Sequence, residues 1–140
     1  MKLRLKGNSL RLRLTRSEIT QLATERALQD ETDFGCGTFR FALCIRENAA
    51  ALSAVCEPDA IVVSAPAALI AHWTATDEVG LYAEQPTSRG GRLTIAVEKD
   101  FRCLDPRRDE DESDHFDHPL AGETRHGNCA EDGKLPAFAS

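Results

Sequence analysis

Residues 2–14 have the sequence Lys-Leu-Arg-Leu-Lys-Gly-Asn-Ser-Leu-Arg-Leu-Arg-Leu, and this stretch decides the fold. Its leucines stand at odd positions before Gly7 and at even positions after Ser9. Successive side chains of a strand point to opposite faces, so a single straight strand cannot change its apolar parity. The chain must therefore turn at residues 7–9, whose residue types suit tight turns. We predict a β-hairpin whose two strands share one leucine face.

The opposite face of this hairpin is basic. In any register that keeps the leucines together, five cations share it, namely Lys2, Arg4, Lys6, Arg11 and Arg13. Like charges opposite one another destabilise a strand pair, so an anion is expected to neutralise them. The candidates are an acidic protein, the chain's own acidic C-terminal tail and nucleic-acid phosphate. The alternative is a solvated face whose long side-chain stems cover apolar surface.

The chain beyond the hairpin predicts two helices and further strands. A capping box of Thr15 and Glu18 begins a helix that is expected to run to about Leu28. Strands are predicted at 39–46, 52–56, 61–65, 79–83 and 93–97, and a second helix follows Pro66 at 67–73. The order ββαβββαββ predicts an α+β domain over residues 1–104, with a mostly antiparallel sheet or a small barrel.

Residues 10–22 and 61–73 echo one another. A shift of 51 residues pairs three leucines of the first segment with Ile61, Val63 and Ala65, and it pairs Leu22 with Trp73. Both segments are predicted as a strand that runs into a helix. Matching apolar periods also produce such echoes, so the sequence leaves open whether the two segments are an internal duplication.

Charge is unevenly distributed along the 140 residues, whose formal net charge is −6. Residues 1–16 contribute +6, while residues 17–104 and 105–140 contribute −6 each. Apolar periodicity stops at Asp105, so residues 105–140 are predicted to form a disordered acidic tail. Residues 105–117 carry −5 against the +5 of the hairpin cations, which predicts that the tail shields the basic face.

A second candidate site is a set of metal-ligand types near the C-terminus. It comprises Cys103, His115, His118, His126 and Cys129, and its His-x2-His and His-x2-Cys spacings suit zinc. The alternative is a scatter of His and Cys in a polar tail. No cofactor other than zinc is indicated. The sequence contains no nucleophile elbow, phosphate loop or dinucleotide fingerprint, so no catalytic residues are assigned.

The expected cellular location of the protein depends on two features that the sequence lacks, a membrane span and a signal peptide. No apolar run approaches the roughly 20 residues of a membrane span, and the alternation of Leu with Lys or Arg at the N-terminus is unlike a signal peptide. We therefore expect a cytoplasmic protein without a membrane partner. Its five cysteines, an odd number, are then expected to be free thiols.

Three segments carry a resemblance to a family of uncharacterised small bacterial proteins. They are residues 1–18, residues 73–86 and the stretch Val-Glu-Lys-Asp-Phe-Arg-Cys-Leu-Asp at 97–105. The resemblance covers about residues 1–105 and implies no known function. The family's acidic tail carries a Phe-Pro-Asn-Pro-like ending, from which Phe-Asp-His-Pro at 116–119 departs.

Residues 6–14 and 62–79 also resemble the swapped-hairpin β-barrels of AbrB- and MazE-type DNA-binding proteins. A Gly-Asn-Ser turn followed by alternating apolar residues and Arg, and then a short helix, carries this likeness. It implies a fused pair of units acting as a transcriptional regulator or antitoxin. Our leading hypothesis is instead a small cytoplasmic binding or accessory module that acts through the basic hairpin face. A metal-binding protein or metal-dependent enzyme is the other alternative.

Overall fold

Eight strands and two helices occupy the part of the chain that the computed structural model describes, which is residues 1–101 and 113–119. The first half contains β1 (Lys2–Lys6), β2 (Ser9–Leu14), α1 (Arg16–Glu25), β3 (Ala27–Asp33) and β4 (Thr38–Arg46). The second half contains β5 (Ser53–Glu57), β6 (Ala60–Pro66), α2 (Ala67–Ala75), β7 (Gly80–Pro86) and β8 (Arg92–Lys99).

The strands form two mixed sheets of four strands each. Sheet A has the order β1-β2-β8-β7, and sheet B has the order β3-β4-β6-β5. Each outer pair is an antiparallel hairpin, while the central pairs β2–β8 and β4–β6 are parallel. The predicted α+β class and the dominance of antiparallel pairing are confirmed. Neither sheet closes into a barrel among these strands, so the open-sheet alternative holds.

The two halves of the chain have the same order of elements and exchange their hairpins. Sheet A combines the first hairpin of the first half with the second hairpin of the second half, and sheet B does the reverse. The first hairpins of the two halves have the same register at an offset of 51 residues: Lys2 pairs with Arg13, and Ser53 pairs with Ser64. The sequence echo between residues 10–22 and 61–73 therefore reflects equivalent positions in a duplicated architecture.

The core lies where the inner faces of both sheets meet the two helices. Its fully buried side chains include Leu12 and Leu14 of β2, Leu22 of α1, and Leu43 of β4 together with Trp73 of α2. Each large side chain buried here contributes about 1.5–3 kcal/mol. The alternation of leucine with charge in β2 produces this burial, because every second residue of β2 enters the core.

The prediction that α1 runs to about Leu28 is wrong, and the predicted element order lacks one strand. The helix ends at Glu25 because Arg26 adopts a left-handed conformation with φ of 63° at the C-cap. Strand β3 follows at once, with Leu28 paired to Leu43 of β4. The observed order is ββαββββαββ.

The predicted helix start is confirmed, since the Thr15 N–H donates to Oε2 of Glu18 at 2.9 Å. Neither helix is long and apolar enough to cross a bilayer within the described ranges.

Candidate functional site

The hairpin β1–β2 places all five predicted cations on one face of sheet A. Lys2 lies directly opposite Arg13, and Arg4 lies directly opposite Arg11. The paired leucines Leu3–Leu12 and Leu5–Leu10 occupy the other face. We call the surface formed by Lys2, Arg4, Lys6, Arg11 and Arg13 the basic face.

Part of the basic face is neutralised by the neighbouring strand β8. The Nε atoms of Arg11 and Arg13 lie 3.5 and 3.6 Å from Oε2 of Glu98, whose side chain is only 13% exposed. Tyr82 on β7 donates its hydroxyl to Oε1 of the same carboxylate at 3.2 Å. Burial raises the pKa of Tyr82, and the negative charge of Glu98 raises it further. The single carboxylate of Glu98 therefore forms ion pairs with both arginines.

At the other end of the basic face, Arg4 and Lys6 have no carboxylate within ion-pair distance among residues 1–101 and 113–119. Both side chains are exposed. Together with Arg11 they line a hollow of about 190 Å³, whose other polar walls are Ser9 and Thr94. This end of the face offers three cationic groups and two hydroxyls around one concavity.

The equivalent hairpin β5–β6 of the second half forms the same strand pairing without this charge. At the offset of 51 residues, the five cationic positions correspond to Ser53, Val55, Glu57, Val62 and Ser64. The two hairpins share register and pairing, yet the second one carries no cation at these positions. This strand pairing therefore does not depend on the charge of the basic face.

A segment of the predicted flexible tail lies against the start of α1. The Arg16 N–H donates to the Asp114 carbonyl at 3.0 Å, and the Ser17 N–H and hydroxyl both donate to the Asp114 carboxylate. Hydrogen bonds from the side chains of Ser17 and Thr15 hold the pKa of Asp114 below its ordinary value. Residues 113–119, which we call the docked segment, thus contact the domain at the start of α1.

Aromatic and charged contacts complete the docking. The Phe116 N–H donates to the Asp100 carbonyl at 2.8 Å, and the ring of Phe116 meets that of Phe101 edge to face at 6.0 Å. His115 is buried, with Nε2 3.4 Å from Oδ2 of Asp100. The Nζ atom of Lys2 lies 3.3 Å from the same oxygen. One cation of the basic face is therefore tied to the strand end that receives the docked segment.

The described part of the tail does not test the predicted acidic shield of the basic face. Within the docked segment, Asp114 binds the first turn of α1, and Asp117 lies 3.5 Å from Arg16. Among residues 1–101 and 113–119, neither carboxylate forms an ion pair with Arg4 or Lys6. The other tail acids lie outside the described residues, so the shielding of the basic face stays a prediction.

The predicted zinc set is not assembled within the described ranges. His115 faces Asp100, and no group of three His, Cys, Asp or Glu residues is placed to hold a metal among residues 1–101 and 113–119. Cys103, His126 and Cys129 lie outside those ranges. The zinc site therefore stays a prediction, as does the placement of His118 in it. Cys36, Cys44 and Cys56 are free thiols.

Sequence reasoning missed two buried charges at the end of β8. Lys99 and Asp100 are 7% and 4% exposed. The burial of Lys99 could have been found from the alternation of side chains along β8. Ile95, Val97 and Lys99 occupy every second position of this strand, and these positions point into the core. A charged residue at a core position indicates either a buried partner or a ligand.

These features define the protein as an α+β domain with two sheets, in which the two halves of the chain exchange hairpins. The domain has one cationic face and a docked segment. The chain belongs to the family of unknown function DUF7009, whose model matches residues 1–120. This confirms the resemblance to an uncharacterised family. The match extends past the domain boundary predicted at residue 104 and includes the docked segment. No curated protein and no solved structure shows a significant match.

Proposed function

We propose that the protein is a small cytoplasmic binding module that holds an extended acidic segment of a partner protein on its basic face. The observation that carries the proposal is the contrast between the two equivalent hairpins. The first carries five cations, while the second folds in the same register with none at the equivalent positions. Cations that this strand pairing does not require, on one face of one strand pair, favour an anionic partner.

The place of β1 in sheet A supports an extended partner. β1 is an edge strand, because sheet A begins with it. A segment added to its outer edge would place alternate side chains beside Lys2, Arg4 and Lys6, at the same spacing of about 7 Å. The intervening residues would meet Leu5, which is 57% exposed. A sequence that alternates acidic and apolar residues fits both faces of this edge.

Edge strands often carry Lys to prevent unwanted pairing, which would explain the cations of β1 without a partner. That explanation does not extend to Arg11 and Arg13, because they lie on the inner strand β2. It also does not account for β5, the equivalent edge strand, which has Ser53, Val55 and Glu57 at these positions. The acidic-partner proposal accounts for both strands of the basic hairpin.

A nucleic-acid partner fits the surface less well. The likeness to swapped-hairpin regulators implies two equivalent units that present the same charges to a duplex. Here the second hairpin carries no cation and one carboxylate, Glu57, at the corresponding positions. The β7–β8 side of the same face carries Glu98, and also Glu84 in an ion pair with Arg92 at 2.9 Å. Phosphates of a duplex lying across sheet A would meet the Glu98 carboxylate, whereas an acidic strand along the outer edge of β1 would lie three strand spacings from it and be repelled less.

The test measures binding of a fluorescent peptide of alternating Glu and Val by anisotropy. The Arg4→Gln/Lys6→Gln protein should bind at least about tenfold more weakly, since each charge-assisted contact contributes about 1.5–3 kcal/mol. The matched control is Arg40→Gln/Arg46→Gln, which removes two exposed cations from β4 and should bind as the wild type does.

A Gln-Val peptide and a DNA duplex are the reference ligands. Equal affinity of the wild type for the Glu-Val and Gln-Val peptides would contradict the proposal. Binding of the duplex in preference to the Glu-Val peptide would contradict it in favour of a nucleic-acid partner. Equal losses in the two double variants would show that net charge, and not the basic face, controls binding.

A further inference from the structure

A second concavity lies on a different part of the molecule, between the two helices and the docked segment. It encloses about 700 Å³, within the range of small-molecule sites. Ile19 of α1, Thr76 after α2, Lys99 at the end of β8, and Phe101 line it, and Phe116 of the docked segment forms a wall. We call it the interhelical cavity.

The ammonium group of Lys99 is buried beside this cavity. The residue is 7% exposed, and Nζ donates one hydrogen bond, to the Thr76 carbonyl at 2.6 Å. It also lies 5.9 Å from the ring centre of Trp73 and 5.6 Å from that of Phe116. Nowhere in the described part of the chain does a carboxylate form an ion pair with it. A buried cation whose described contacts are a carbonyl and two rings is costly unless an anion joins it.

The remaining polar groups of the cavity leave few donors for a ligand. The hydroxyls of Thr20, Thr74 and Thr76 each donate to a backbone carbonyl, at 3.2, 3.2 and 2.9 Å. They can accept hydrogen bonds from a ligand but do not supply free protons. The cationic donors that line the cavity are Lys99, which is buried, and Arg16, which is 53% exposed. The carboxylates of Asp77 and Asp117 also line it, and Asp117 lies 3.5 Å from Arg16, so Lys99 is the cation that remains for an anionic head group.

We propose that the interhelical cavity binds a small organic anion, with a carboxylate or phosphate head group on Lys99 and an apolar body against Ile19, Phe101 and Phe116. The head group supplies the charge that Lys99 lacks, and the aromatic walls cover the body. Because Phe116 belongs to the docked segment, the bound anion contacts both the domain and that segment. Ligand binding therefore stabilises the docked state by mass action.

The structure provides a probe for this proposal in Trp73. It is the one tryptophan of the chain, and its ring lies 5.9 Å from the Lys99 ammonium. The full-length protein is titrated with phenylpropionate, hexanoate and phenyl phosphate, and with the uncharged phenylpropionamide, hexanamide and phenol. At least one anion should change the Trp73 fluorescence and raise the melting temperature below about 10 mM, as expected for ligands of this size. Its uncharged counterpart should bind at least about tenfold more weakly.

Lys99→Met keeps the apolar stem and removes the charge, so this variant should lose the discrimination between the anion and its uncharged counterpart. Lys99→Arg should retain it, which separates loss of charge from loss of fold. Arg4→Gln/Lys6→Gln should bind the anion as the wild type does, since the basic face is a separate surface. The proposal is overturned if no anion of the set binds, if charged and uncharged members bind equally, or if folded Lys99→Met retains the preference.

Discussion

Replacing Glu98 by Gln should lower stability and strengthen binding of an acidic segment at the same time. Glu98 holds Arg11 and Arg13 at 3.5 and 3.6 Å, so the substitution removes the carboxylate from both contacts while its amide carbonyl can still accept the Tyr82 hydrogen bond. The folded state loses two ion pairs, and the basic face loses the charge that competes with a bound carboxylate.

The expected magnitudes follow from the geometry. Two unit charges at 3.5 Å attract by about 5 kcal/mol at an effective dielectric constant of about 20. Screening and side-chain entropy reduce exposed pairs to about 0.2–1 kcal/mol each. The two arginine side chains are 38% and 43% exposed. We therefore expect the free energy of unfolding to fall by about 1 kcal/mol in total, which lowers the melting temperature by about 4–8 °C in a domain of this size.

The effect on binding has the opposite sign. A carboxylate on a strand added outside β1 lies three strand spacings from β8, or about 14 Å, and at an effective dielectric constant of about 40 the Glu98 charge repels it by about 0.6 kcal/mol. Glu98→Gln should therefore bind the Glu-Val peptide about two- to threefold more tightly at low ionic strength. Chemical denaturation and peptide anisotropy measure the two quantities on the same protein. Weaker or unchanged peptide binding, in a variant with the expected loss of stability, would refute the assignment of the basic face as the binding surface.

Tyr82 gives an independent check that Glu98→Gln acts where the structure places it. Burial is the largest cause that raises the Tyr82 pKa above 10.0, followed by the charge of Glu98. The substitution removes the second cause, so the Tyr82 pKa should move down toward 10.0 and stay above it. Tyr82 is the one tyrosine of the chain, so the ultraviolet absorbance of tyrosinate reports it without overlap. An unchanged titration would show that Glu98 does not face Tyr82.

Three further predictions concern the fold and the docked segment. Gly80→Ala should cost about 1–3 kcal/mol in chemical denaturation, because its Cβ would lie 2.8 Å from the Val97 carbonyl oxygen; equal stability would contradict this close approach. Arg26→Gly should raise the free energy of unfolding by about 0.5–1 kcal/mol, since glycine adopts the φ of 63° without strain; a loss would show that the Arg26 side chain outweighs the strain. The docked segment should detach on acidification, because hydrogen bonds from Ser17 and Thr15 lower the folded pKa of Asp114. The stability that these hydrogen bonds add is complete above pH 3.8 and is lost as pH falls through the lower pKa of Asp114 in the folded protein. The NMR signal of the Ser17 amide should therefore shift below pH 3.8. A signal that stays constant there would contradict the hydrogen bond between Ser17 and Asp114.

The hairpin was predictable because its evidence lies within a few residues. The change of leucine parity around Gly7 requires a turn, and the same parity places Arg4 and Arg11 on one face. The capping box of α1 is local in the same sense. Strand β3 has no comparable signal, because Leu28 is its one buried residue and the rest of Ala27–Asp33 is exposed along the edge of sheet B. Edge strands with a single core contact lack the alternation on which strand prediction depends.

The docked segment and the exchange of hairpins could not be predicted for a different reason. Docking rests on polar contacts such as Asp114 with Ser17, which join residues 97 positions apart, and on the rings of Phe101 and Phe116. Composition predicts disorder there because it registers only charge and hydrophobicity. The exchange depends on which hairpin completes which sheet, and apolar periodicity is the same for either choice.

Hydrogen exchange of the β1 amides tests the central claim most directly. In the proposed complex an acidic segment lies along the outer edge of β1, so saturating Glu-Val peptide should slow exchange within Lys2–Lys6. Exchange in the equivalent edge strand Ser53–Glu57 should not change. Arg4→Gln/Lys6→Gln should lose this protection at the same peptide concentration. Protection at Ser53–Glu57, or bound peptide without protection at Lys2–Lys6, would contradict the account.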